Sequence, residues 1–141
     1  MAGDWIGRGT FKSSPSAEAE LVYCKITNSL EGGGSVLNQK GRCAVATNSG
    51  RVSGTFESNG SGGFTGSLES LSTRGPATIS GTASGDQITM TASFVDRRTK
   101  QPGTATLRLV VGDGRYRLVS DAVDPKTNTE FVASDITFER Q

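Results

Sequence analysis

Histidine is absent from this 141-residue chain. With it go the usual general base near neutral pH and the commonest metal ligand. An excess of charge is missing too: fifteen Lys and Arg against fourteen Asp and Glu leave a formal net charge of +1. Phosphate binding needs a concentrated basic surface, so the sequence argues against nucleic acid as a partner. No apolar run is long enough to cross a bilayer as a helix, so no membrane span is expected. There are only two cysteines, Cys24 and Cys43, too far apart in sequence for a redox dithiol and too few for a zinc site. No leader is visible either. The chain opens Met1-Ala2-Gly3 and enters strand pattern almost at once, which reads as a mature domain whose signal peptide was removed and replaced by a start Met.

What the chain has in quantity is glycine, 19 residues of it, and a pattern of apolar, hydroxyl, small, hydroxyl, apolar that occurs four times. The copies are Val52-Ser53-Gly54-Thr55-Phe56, Phe64-Thr65-Gly66-Ser67-Leu68, Ile79-Ser80-Gly81-Thr82-Ala83 and Met90-Thr91-Ala92-Ser93-Phe94. Successive side chains of a strand point to opposite faces, so each copy reads as a strand with an apolar inner face and a Ser/Thr outer face. Folding the chain about Gly60 sets Phe56 opposite Phe64 and Gly54 opposite Gly66. Ser84-Gly85-Asp86 turns the third copy into the fourth.

The flanking chain continues the pattern. Trp5 to Phe11 and Glu18 to Asn28 read as the first two strands. A turn at Gly33-Gly34 pairs Leu30 with Leu37, Cys24 with Cys43 and Val22 with Val45. Asn48-Ser49-Gly50 is read as the turn into the first hydroxyl copy. Asp113-Gly114 pairs Val111 with Tyr116 and Leu109 with Leu118. On the last strand Val132, Ser134, Ile136 and Phe138 are expected to face inward.

Ten strands and no helix suggest one domain, residues 1–141, with an all-β, antiparallel up-and-down meander closed into a lipocalin-like barrel. Closure buries the apolar face and removes both edges, and it sets the first strand beside the tenth with Trp5 near Phe138. The alternative is a two-sheet β-sandwich.

Each candidate site has a plainer competitor. The register brings Cys24 and Cys43 together as a cross-strand disulfide, in preference to two buried thiols, and implies an oxidising compartment. A two-residue turn would nonetheless put the pair at a hydrogen-bonded, wider-spaced position. The inward glycines, Gly54 and Gly66 among them, either bend the sheet beneath Trp5 or leave an apolar pocket lined by Trp5, Gly54, Gly66 and Phe94. Trp5 on that shelf would leave at most a small cavity at one end. The Ser/Thr ladders read as a soluble, β-favouring surface, and Arg97, Arg98 and Lys100 as a solvated loop in preference to an anion site. Asp124, Asn128 and Glu130 resemble a calcium loop, but Lys126 stands where a ligand oxygen is needed. Ser120 and Ser134 face each other inside, with no base to activate either.

Gly3-Asp4-Trp5 resembles the Gly-x-Trp of lipocalins and related calycin barrels. In that family the Trp opens the first strand and closes one end of the barrel, often beneath an Arg of the last strand; the resemblance nominates Arg140, then Arg117. The chain has neither the Thr-Asp-Tyr turn nor the C-terminal helix of that family. Trp5-x-Gly7-x-Gly9 with two strand cysteines also resembles small exported bacterial barrels, which implies a periplasmic place and no activity. The expectation is a non-enzymatic, cofactor-free, periplasmic or secreted barrel binding a small hydrophobic molecule. The alternative is a filled barrel acting through its surface on another envelope or secreted protein, as inhibitor or scaffold.

Overall fold

The structure is a computed structural model that describes residues 2–46, 48–70, 73–97, 99–124 and 126–141. Its strands are β1 (Gly3–Phe11), β2 (Glu20–Glu31), β3 (Val36–Val45), β4 (Asn48–Ser58), β5 (Gly63–Glu69), β6 (Ala77–Ser84), β7 (Gln87–Val95), β8 (Pro102–Gly112), β9 (Arg115–Val123) and β10 (Glu130–Arg140). Each pairs antiparallel with the next in sequence, and β1 pairs with β10 from Trp5 opposite Arg140 to Phe11 opposite Ser134. The meander is therefore a closed barrel and not a sandwich. Every interior strand has two partners, and no edge is left to pair with another chain.

The face assignment follows the alternation. Ser53, Thr55, Thr65, Ser67 and Ser80 are exposed, while Val52 and Ile79 are buried and Phe56, Phe64, Leu68 and Phe94 are half-buried. The hairpin registers hold where a tight glycine turn sets them. Leu30 faces Leu37 and Cys24 faces Cys43, although the ladder ends at Tyr23–Ala44, one pair short of Val22–Val45. Val111 faces Tyr116, Leu109 faces Leu118, and Ser84 faces Gln87.

Three expectations are corrected. The β4–β5 register is displaced by two: Phe56 faces Gly66 and Gly54 faces Leu68. The cause is Asn59. Its side-chain carbonyl accepts the N–H groups of Ser61 at 2.8 Å and Gly63 at 3.2 Å, and its own N–H donates to Gly63 O at 2.9 Å. Those bonds centre the loop on Ser61, one residue beyond Gly60, and a one-residue change of fold point moves every pair by two without exchanging faces. Second, Asn48 to Gly50 are not a turn. They already pair in β4, with Asn48 opposite Val45 and Gly50 opposite Cys43. Third, Val132 points outward and is 49% exposed. The β9–β10 register shifts between Val132 and Ser134, and the extra residue of this bulge reverses the faces before Ser134.

The corrected register has a packing logic. Phe56 faces Gly66, Phe64 faces Gly81, Phe94 faces Gly103 and Phe138 faces Gly7. At Gly66, Gly103 and Gly7 the ring takes the room that a missing side chain leaves on the neighbouring strand, while at Gly81 the Met90 side chain does so. Like-with-like pairing would have set ring against ring at one level and left paired glycines with nothing above them at the next.

Candidate functional site

Eight strands make a barrel that its own side chains can fill, and interior width grows with strand number. Ten strands here enclose a cavity of about 870 Å³. Val22, Ile79, Met90, Leu107, Leu109 and Ile136 contribute to its wall. Ala92, Ala105 and Ala122 lie side by side across β7, β8 and β9 and fill little of the width. Phe11, Phe56, Phe64 and Phe94 point inward yet are only half-buried, because each borders the open space of the lumen, with Phe56 and Phe64 also meeting edge-on at 6.4 Å between ring centroids. Every ionisable residue of the cavity wall lies at the loop end (Lys12, Glu20, Asp96, Arg97 and Asp124), with the exception of Tyr116.

The other end, where the tight hairpins and both termini lie, is plugged on the side of β9, β10, β1 and β2. Tyr116 stacks on Phe138 with ring centroids 4.6 Å apart and meets Trp5 edge-on at 4.8 Å. The Arg140 guanidinium lies 5.1 Å from the Trp5 ring centroid, within cation–π range, and donates to Ala2 O at 2.9 Å. Phe138 lies over Gly7, where a Cβ would be 2.5 Å from the ring. Asn28 is buried beside this cluster, its side-chain oxygen accepting from Gln39 Nε2 at 3.2 Å. Tyr116 Oη and Asn28 Nδ2 are buried without a hydrogen-bond partner among the described residues. Burial pushes the Tyr116 hydroxyl up to about 12, with the neighbouring Asn28 amide pulling weakly the other way without reaching hydrogen-bond geometry.

Cys24 and Cys43 form a disulfide across β2 and β3. Their Cα atoms are 4.1 Å apart, the spacing of the close, non-hydrogen-bonded pairs. The expected wide spacing is corrected because the connection is the longer loop Gly32–Ser35, flanked by Glu31 opposite Val36, and not a two-residue turn. Cys24 is fully buried, and both cysteines contribute to the cavity wall. A disulfide in a chain of this size indicates folding in an oxidising environment. No helix among the described residues is long and apolar enough to cross a membrane.

Of the four residues nominated for a pocket, Phe94 lines the cavity. Trp5 lies in the plug. Gly54 and Gly66 lie beneath side chains: a Cβ on Gly54 would meet Leu68 Cδ1 at 2.9 Å and Phe56 Cε2 at 3.1 Å, and one on Gly66 would meet Phe56 Cδ1 at 2.7 Å. The shelf is thus occupied by Phe56 and not by Trp5, and the cavity is larger than the small end-pocket expected. Met90 and Leu109 of the wall fall on the inner face by the alternation of their strands, but nothing in periodicity says whether inner side chains meet across a barrel.

Ser134 Oγ donates to Ser120 Oγ at 2.8 Å inside the cavity. At the loop end, Lys12 Nζ donates to Pro15 O at 3.0 Å and Arg97 Nε to Thr73 O at 3.2 Å. Arg98 and Pro125, part of the loops read as anion and calcium candidates, lie outside the described residues. The Asp124 carboxylate accepts from Lys126 N and Thr127 Oγ1, both at 3.2 Å, so it closes its own turn. On the outer wall Arg117 grips Asp135 with two bonds of 2.9 and 2.6 Å, and this hydrogen bonding holds the Asp135 carboxyl below its ordinary range. Arg108 pairs with Asp121 at 2.9 Å.

No protein-family model matches the chain, and no curated protein is detectably similar to it in sequence.

Proposed function

We propose that this chain is a non-catalytic, exported β-barrel whose lumen holds a small apolar molecule. The supporting observation is the lumen itself: about 870 Å³, walled by aliphatic and aromatic side chains, with ionisable groups confined to the loop end apart from one buried tyrosine. Concave, mostly apolar spaces of a few hundred to a thousand cubic ångströms are where proteins bury small ligands. The reading assigns no catalytic residue. Among the described residues no three His, Cys, Asp or Glu side chains gather as a metal site, and no carboxylate or amine is hydrogen-bonded to the Ser120 or Ser134 hydroxyl. The disulfide favours the periplasm or the outside of the cell. The outer wall, rich in Ser, Thr and ion pairs, is the inverse of the apolar band of a transmembrane barrel, so the reading has no membrane span. A near-neutral charge balance leaves nucleic acid out as well.

The alternative, a filled barrel that acts through its surface on an envelope or secreted protein, requires inward side chains that meet, and half-buried Phe11, Phe64 and Phe94 favour the hollow form. Native mass spectrometry of freshly purified protein tests the proposal. A retained small molecule, lost on organic extraction, is expected. Apo mass alone, with no uptake of apolar compounds offered afterwards, would refute it.

A further inference from the structure

On the side of β8, β9 and β10 the apolar lumen wall is interrupted at one place, as it is by Gln39 on β3. Between the loop end and the plug, the inward positions of β8, β9 and β10 carry Leu107, Leu109, Leu118 and Ile136, except where Ser120 stands opposite Ser134. The two hydroxyls are 2.8 Å apart and both residues are half-buried and part of the cavity wall. Ser134 shares the inner face with Ile136 and Phe138, directly after the β10 bulge, and Lys12 N donates to Ala133 O beside it at 2.7 Å.

A hydroxyl offers one donor and two acceptor sites. Within the pair one proton is used: Ser134 donates and Ser120 accepts. The second proton has no acceptor among the described residues. It faces space that an apolar ligand would fill, and covering it with hydrocarbon would bury a donor unmatched. An oxygen of the ligand at this level would accept it. Of the ionisable residues of the wall, Lys12 follows Phe11, which pairs with Ser134, and Glu20 pairs with Phe11 from its other side, while Tyr116 is closed within the plug. The Glu20 carboxylate would repel an anionic ligand, so the acceptor that suits this level is uncharged.

We infer that Ser120 and Ser134 form a polar contact in the lumen wall that selects an apolar ligand carrying a neutral acceptor oxygen, such as a ketone, ester or alcohol, along its length. The inference rests on the apolar-lumen reading and sharpens it.

The test uses dibutyl ketone and n-nonane, which are nearly the same shape, as competitors for the fluorescent apolar probe N-phenylnaphthylamine. The ratio of their affinities is measured in the wild type and in S120A/S134A. Comparing the ratio between proteins cancels the different hydration of the two competitors. Loss of one well-made hydrogen bond should lower the ketone-to-alkane ratio about tenfold in the variant. The carbonyl stretch of the bound ketone gives a second readout, usable on the wild type alone if the variant fails to fold. It should lie below its position in alkane solvent. An unchanged ratio, or a carbonyl band at the alkane position, overturns the inference while the apolar lumen stands. If neither competitor displaces the probe, the lumen reading and this inference fall together.

Discussion

Substituting Gly66 by Ala tests how the glycines and phenylalanines of this barrel depend on one another. A methyl group there would stand 2.7 Å from Phe56 Cδ1 and 3.0 Å from Phe56 Cα, and would press on the Thr55 carbonyl of β4. The ring can turn away, but the carbonyl belongs to the ladder and cannot move without loosening it. Overpacking of a well-filled site costs about 1–3 kcal/mol. Replacing Gly by Ala returns roughly 0.4–1 kcal/mol by restricting the unfolded chain. The backbone contact puts the cost in the upper part of its range, so a net destabilisation of roughly 1–2 kcal/mol is expected. For a domain of this size that lowers the melting temperature by roughly 3–10 °C. Calorimetry measures it, and tryptophan fluorescence adds a control. Trp5 lies four strands away round the barrel, so its emission should not move. F56L in the G66A background should recover only part of the loss, because the carbonyl contact persists. A melting temperature unchanged or raised, or a shifted emission spectrum, would refute the packing described for this shelf.

Two further outcomes follow from the same geometry. The intact mass of protein from an oxidising compartment should be two hydrogens below the reduced value, and C24A should cost roughly 2–5 kcal/mol by urea unfolding; free thiols in unreduced protein would contradict the exported reading. Tyr116 should give the barrel an alkaline limit. Its hydroxyl is held at about 12 against an ordinary value of 10.0, so the stabilisation is complete below pH 10 and is lost as pH rises through 12. The shift corresponds to about 2–3 kcal/mol, and Y116F should flatten this limb of the stability curve; an identical limb in Y116F would contradict the assignment.

The sequence made the barrel readable where chemistry is local. Gly33-Gly34, Gly85 and Asp113-Gly114 sit at turns whose placement carries the register of whole strands, and the hydroxyl alternation assigns faces regardless of register. It was less readable where a side chain competes with the backbone for the turn. Asn59 has the composition of any loop residue, and only its capture of two N–H groups moves the fold point. The β10 bulge left no mark in the alternation, since Val132 and Ser134 continue it in sequence while the backbone between them breaks it in space. The pairing of each ring with a glycine became visible only once the register was known. The hollow lumen lies one step further away. The radius of a closed barrel comes from strand number and stagger together, and stagger is a sum of every register, including the displaced one between β4 and β5.

The central claim is that the interior is vacant and apolar, and Ala105 offers the most direct measurement. It lies in the wall between Ala92 and Ala122, where a larger side chain would project into open space. Titration with N-phenylnaphthylamine should give saturable, blue-shifted emission with the wild type. A105F should fold, as judged by an unchanged or higher melting temperature, and should bind the probe at least tenfold more weakly because the ring occupies its place. A wild type that leaves the probe dark, or a folded A105F that binds it equally well, would contradict a ligand-holding lumen.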